Sequence, residues 1–293
     1  MNSTTYSILV PIGFSEQSKI ALEQAERLAI LTNGEITLLS VIETSGMLSR
    51  LFGEDDEKYT DLKIVLQEKL DNIASEVSAR IGLKVNAMAA KGKVSQKIIE
   101  VSELINAKVI VMGTNGAPSE FAKKVIGSNA FRVVTHSTCP VITIKGKNHF
   151  KGCRNIILPL DLEKETKEKV SHALILARLW GAIVKVVSIS KSNDEETTAK
   201  LRANLKQVKK FLTDGGVSTE AELIKAEGRS LSQSVLDYSN NNDGDLIMIM
   251  TQQESDFTNH FIGSSAQSII YNTDTPVMSV RPMVTIGSVY DLP

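Results

Sequence analysis

The chain has 293 residues, 42% hydrophobic and 23% charged, enough for two ordinary domains that each bury a core. Its formal net charge of -1 leaves no basic surplus to neutralise a phosphate backbone, so no nucleic-acid partner is expected. No run approaches the roughly 20 apolar residues of a membrane span. The opening MNSTTYSILVPIGFS lacks the basic and apolar regions of a signal peptide, and Cys139 and Cys153 are too few for a disulfide framework, so a cytoplasmic protein with no membrane partner is expected.

In chain order, Ser7 to Ile12 is an apolar run of strand length. Ser15 is a candidate N-cap for a helix carrying Ile20, Ala21, Ala25, Leu28 and Ala29 at helical spacing, and Gly34 is expected to end it. Ile36 to Ile42 reads as the second strand. Leu62, Leu66, Leu70, Ile73, Val77 and Ile81 then form the apolar stripe of a long helix. A strand from Leu83 to Ala89, a helix from Val94 to Asn106 and a strand from Val109 to Met112 follow. A helix after Gly127 leads to a fifth strand, Val141 to Lys145.

The second half repeats the order. Its strands are Ile156 to Leu160, Ile183 to Ile189, Ala221 to Lys225, Leu246 to Ile249 and Val277 to Val280, and its long helix uses Leu201, Leu205, Val208 and Leu212. Strands apolar on both faces, alternating with helices, predict in each half a five-stranded parallel sheet covered on both sides. The last strands, Val141 to Lys145 and Val277 to Val280, would be unpaired edges, so the halves are expected to pack there as an intramolecular pseudo-dimer. A further homo-dimer of whole chains is left open.

The two copies can be matched residue by residue. Ile8-Leu9-Val10-Pro11 answers to Ile156-Ile157-Leu158-Pro159 at an offset of 148, and Gly127-Ser128 to Gly263-Ser264 at 136. About twelve extra residues therefore lie early in the first half, mostly in Glu43 to Lys58. Met47, Leu48, Leu51 and Phe52 in that segment are spaced to cover either the first site, as a flap, or a neighbouring helix. The expected units are residues 1–147, residues 152–284 and a tail of 285–293, with the boundary in the polar stretch from Gly146 to Arg154.

In such sheets ligands bind beyond the carboxyl ends of the strands, where the strand order reverses. After the fourth strand come Gly113-Thr114-Asn115-Gly116, ten residues, and Gly127-Ser128-Asn129 at a helix start. Glycines there let backbone N–H groups approach a phosphate, and the helix start adds donors and a positive dipole end. The same glycines also suit a plain turn and a plain helix start, so the residues alone leave both readings open.

These glycines, with Ile8-Leu9-Val10-Pro11 opening the domain and Thr138-Cys139-Pro140-Val141 closing it, resemble the universal stress protein family, and the resemblance runs over nearly the whole chain, twice. It implies two tandem Rossmann-like domains of the adenine nucleotide alpha hydrolase type. It implies ATP as ligand, with Mg2+ only as a companion of the nucleotide. By position, Pro11, Ile12, Gly13, Val41, Met112, Gly113, Asn115, Gly116, Gly127, Ser128 and Asn129 would surround it. The family pattern has nine residues between the second glycine and Gly-Ser, and an acid two residues after the first-strand proline. Here the spacer is ten and the acid is Gly13. The second half keeps the acid as Asp161, and Gly263-Ser264, but has Met250 and Gln253 at the loop-glycine positions, so only a remnant of a second site is expected there. Asp161 is also suited to cap a following helix.

No P-loop, no Gly-x-Gly-x-x-Gly after the first strand and no Gly-x-Ser-x-Gly elbow occurs, and the four histidines are scattered, so neither catalytic residues nor a metal site are expected. The leading expectation is a stress-response regulator that binds an adenine nucleotide in its first half and signals to protein partners, with at most weak ATPase activity. The alternatives are a nucleotide-free dimeric scaffold and a nucleotide-hydrolysing enzyme.

Overall fold

A computed structural model of the chain describes residues 5–43, 56–114, 127–145, 153–161, 166–191, 194–251 and 263–281. The first half runs β1 (Ser7–Pro11), α1 (Glu16–Thr32), β2 (Glu35–Glu43), α2 (Asp56–Ile81), β3 (Val85–Gly92), α3 (Val94–Leu104), β4 (Val109–Gly113), α4 (Ser128–His136) and β5 (Val141–Ile144). The second runs β6 (Asn155–Leu160), α5 (Thr166–Trp180), β7 (Ile183–Ser190), α6 (Glu195–Asp214), β8 (Thr219–Lys225), α7 (Leu231–Asn241), β9 (Leu246–Met250), α8 (Ser264–Asn272) and β10 (Val277–Val280).

The strands form one sheet of ten, in the order β3-β2-β1-β4-β5-β10-β9-β6-β7-β8. Every pairing is parallel except the seam, where β5 and β10 run antiparallel with Thr143 opposite Val277 and Ile142 opposite Met278. The two strands expected to be edges thus pair with each other. Because the seam is antiparallel, the carboxyl ends of the two sets of strands lie at opposite ends of the sheet along the strand direction.

The sheet is buried on both faces. Ile8, Val10, Ile156 and Leu158 pack beneath α1, α2, α5 and α6, while Leu9, Ile110, Ile157 and Ile247 pack on the other face with α3, α4, α7 and α8. Each layer runs across the seam, so the halves share their apolar interior.

Local signals start and stop the helices. Ser15 caps α1 by accepting from the Ser18 amide, and Asp194 and Ser230 cap α6 and α7 in the same way. At the end of α1 the residue in the left-handed conformation is Asn33 (φ 47°) and not Gly34. Gly34 is required for another reason: a Cβ there would sit 2.3 Å from the Tyr6 carbonyl oxygen, where the chain enters β2. α3 stops at Leu104, two residues early, and Asn106 turns with φ 49°. β3 begins two residues later than expected and runs on to Gly92. Leu62, placed on the buried stripe of α2, is 52% exposed; the buried stripe begins to close at Leu66 and is complete at Leu70. The inserted apolar residues 47–52, the boundary residues 146–152 and the tail 285–293 lie outside the described residues.

Candidate functional site

β1 and β4 pair only at Ile8–Val109 and Leu9–Ile110, and then diverge. The strand order reverses at this point, and the divergence opens a cleft at the carboxyl ends of the strands. Pro11, Ile12 and Gly13 leave β1 on one side of it, Met112 and Gly113 end β4 on the other, and Val41 lies near the end of β2. The Ile12 amide donates to Leu39 on β2 (2.8 Å), so the Pro11 carbonyl of the same peptide unit faces the opposite way, towards β4 and the cleft.

The amide of Gly127 donates to the Thr114 carbonyl oxygen at 2.8 Å, which fastens the start of α4 to the end of β4. The end of β4 and the start of α4 therefore meet. A Cβ at Gly127 would lie 2.9 Å from that oxygen, so only glycine permits the contact. Among the described residues no side chain caps α4, so its first-turn amides lack a side-chain acceptor there. Thr114 is 3% exposed, and its hydroxyl has no partner among the described residues.

Ile12 and Met112 are 6% and 5% exposed, and their side chains belong to the two core layers, so only their main chain can reach the cleft. The missing Cβ of Gly113 faces α1: it would lie 2.8 Å from Gln17 Cβ. Gly113 thus lets the first turn of α1 pack against the end of β4. Gly13 is exposed, with nothing within 4 Å of the place a Cβ would take, so a side chain there would enter open space without displacing protein. Ser128 is exposed and Asn129 half-buried in the first turn of α4. Asn115 and Gly116 lie outside the described residues.

Two neighbours were not legible in the sequence. Phe14 adopts φ 57°, an uncommon conformation for an aromatic residue. The Lys69 ammonium of α2 lies over its ring, 4.1 Å from the centroid. No local pattern marks either residue.

The second half presents the same cleft, differently filled. β6 and β9 pair at Ile156–Leu246 and Ile157–Ile247 and then diverge. Lys169, on α5, is buried and donates to the Pro159 carbonyl oxygen at 2.6 Å. Burial pulls its ammonium down to about 8, while the charge of Asp161 opposes the shift. Ala21, fully buried, holds the matching position in the first half, ten residues after the proline. A lysine at an alanine position on an apolar helix face was the signal available in the sequence. Asp161 is exposed, and its carbonyl accepts from Asn204 at 2.9 Å. α5 begins at Thr166, and the residues 162–165 that join Asp161 to it lie outside the described residues. Gly263 precedes α8 as Gly127 precedes α4, the Met250 side chain packs on the core, and Gln253 lies outside the described residues. The Thr251 hydroxyl, unlike that of Thr114, has an acceptor, the Val280 carbonyl at 3.4 Å.

Among the described residues no cluster of His, Cys, Asp or Glu could hold a metal ion, and no helix is long and apolar enough to cross a membrane. Burial pushes the Cys139 and Cys153 thiols up, away from reactivity.

A model of the universal stress protein family matches residues 5–145 and again residues 152–281. The universal stress protein MJ0577 of Methanocaldococcus jannaschii is 30% identical over 156 residues, 48% of this chain and 95% of its own length. A universal stress protein of Mycolicibacterium smegmatis is 22% identical over 302 residues, 96% of this chain and 99% of its own. The crystal structure of a universal stress protein from Archaeoglobus fulgidus superposes over 96% of this chain and 98% of its own, with a TM-score of 0.76 at 20% identity. With the family's domain matched twice along one continuous sheet, the chain belongs to the universal stress protein family as a tandem member.

Proposed function

We propose that the chain is a cytoplasmic stress-response regulator that binds one adenine nucleotide, ATP, in the cleft of its first half and presents the bound state to protein partners. The observation that carries this reading is the bond from Gly127 to Thr114, which sets a helix start against the end of β4 beside a buried hydroxyl, both without a side-chain partner among the described residues. Anionic phosphates suit such donors, and each favourable charge contact at a helix start contributes about 0.3–1 kcal/mol. Pro11 and Val41 would meet the base and ribose, and Ser128 and Asn129 the phosphates. In the second half Lys169 already occupies the Pro159 carbonyl, so single occupancy follows. Mg2+, if present, would come with the nucleotide.

Calorimetric titration with ATP tests the reading. Gly13→Trp fills the open cleft from a position where a Cβ meets nothing, whereas substitution of Gly127 would collide with Thr114. One site per chain is expected, lost in Gly13→Trp and retained in Asp161→Trp. Loss in Asp161→Trp with retention in Gly13→Trp would place the site in the other half.

A second reading, a nucleotide-free scaffold, is favoured by one feature: packing against Gln17 already accounts for the glycine at position 113. It predicts no heat of binding with ATP at millimolar concentration.

A further inference from the structure

Lys145 and Arg281 occupy matching places, each directly after the last strand of its half, and each reaches into the other half. The Lys145 ammonium donates to the Tyr271 carbonyl in the last turn of α8. The Arg281 guanidinium donates to the carbonyl of His136, the last residue of α4, at 3.4 Å. Both are cations on the carboxyl end of a helix, where the dipole is negative and the last carbonyls lack partners.

Those two helices are the ones whose amino ends line the clefts. α4 starts at Gly127, tied to Thr114 in the first cleft. Its far end is held by Arg281, which follows Val280, whose carbonyl accepts from the Thr251 amide (3.0 Å) at the second cleft. α8 starts at Gly263 in the second cleft. Its far end is held by Lys145, which follows Ile144, whose carbonyl accepts from the Thr114 amide (2.9 Å) at the first cleft. Gln17, packed against Gly113, also donates to the Lys145 carbonyl at 3.3 Å. Each nine-residue helix, about 13 Å long, therefore spans from one cleft to the strand ends beside the other.

We propose that Lys145 and Arg281 are positioning residues that couple the two clefts, each holding the helix that forms the opposite one. A ligand in the first cleft bears on Thr114 and, through Gln17 and Ile144, on Lys145, and so on α8. The reverse path runs through Arg281 to α4. Such coupling is reciprocal. Its use as a response to nucleotide rests on the reading that the first cleft binds ATP.

The test is hydrogen exchange on the full chain, with and without ATP at a concentration that calorimetry shows to be saturating. In the natural protein ATP should slow exchange across α8, in the other half, by about two- to fivefold, the range of one helix-end charge contact. Lys145→Met should abolish that remote effect while leaving ATP affinity within about threefold, and Lys145→Arg should restore it. Unchanged exchange in α8 at saturation, or a remote effect that persists in Lys145→Met, overturns the coupling. If calorimetry finds no ATP binding, the reading of the first cleft fails instead, and the coupling is judged on the unliganded variants. Arg281→Met should then speed exchange in the hydrogen-bonded second turn of α4, and Lys145→Met in the second turn of α8. Exchange in those turns equal to that of the natural protein overturns it.

Discussion

Lys169 keeps a buried ammonium where Ala21, at the same place in the first half, keeps a methyl group. Burying a cation is costly unless it is paired, and here the Pro159 carbonyl and the charge of Asp161 compensate only in part. Its folded-state value of about 8 lies below the unfolded value of about 10.4, so between those limits the unfolded chain binds more protons than the folded one. Stability should therefore rise with pH from about 8 to about 10, by an amount on the order of 3 kcal/mol. Lys169→Met should lack this rise. Urea unfolding of both proteins at pH 7, 8, 9 and 10 checks it: the variant's advantage at pH 7 should shrink steadily towards pH 10. A constant difference would show that the ammonium is not desolvated in the folded state.

Among the elements, α2 does more than cover the sheet. Gln67 donates to the Ala87 carbonyl at 3.1 Å and accepts from the Ala89 amide at 2.8 Å, so a side-chain amide stands in for a neighbouring strand along β3. β3 is a sheet edge, and an open edge is a template for pairing with other chains. Gln67→Ala should cost about 1–3 kcal/mol, from two lost hydrogen bonds. It should also raise light scattering on storage near the unfolding midpoint; a variant as stable and as soluble as the natural protein would refute the role. The element order was legible in the sequence because it rests on apolar periodicity, which Leu70, Ile73 and Val77 carry plainly on α2. The helix stops were less so, because Asn33 and Asn106 can take the left-handed turn that glycine most often takes. The site was legible as far as its glycines. What those glycines touch was not: the packing of Gln17 on Gly113 and the reach of Lys169 to Pro159 are tertiary contacts that no local pattern encodes.

Across the whole molecule, the seam decides whether the halves behave as one body. β5 and β10 are four residues each, buried throughout, and sit in the middle of ten strands. The Thr143 hydroxyl adds a bond to the Val277 carbonyl at 3.3 Å. With core layers continuous across this line, the chain should unfold in one calorimetric transition. Thr143→Pro removes a ladder donor from a central strand and should split that transition into two; a single, merely lowered transition would show that the helices alone hold the halves together. The seam also changes what symmetry permits. In a dimer of identical chains each residue stands on both sides of the axis. A lysine at the place of Lys169 would then close both clefts, and an alanine would leave both open. Carrying the two copies on one chain removes that constraint, so a methyl group at Ala21 and an ammonium at Lys169 can stand at equivalent places in a single molecule.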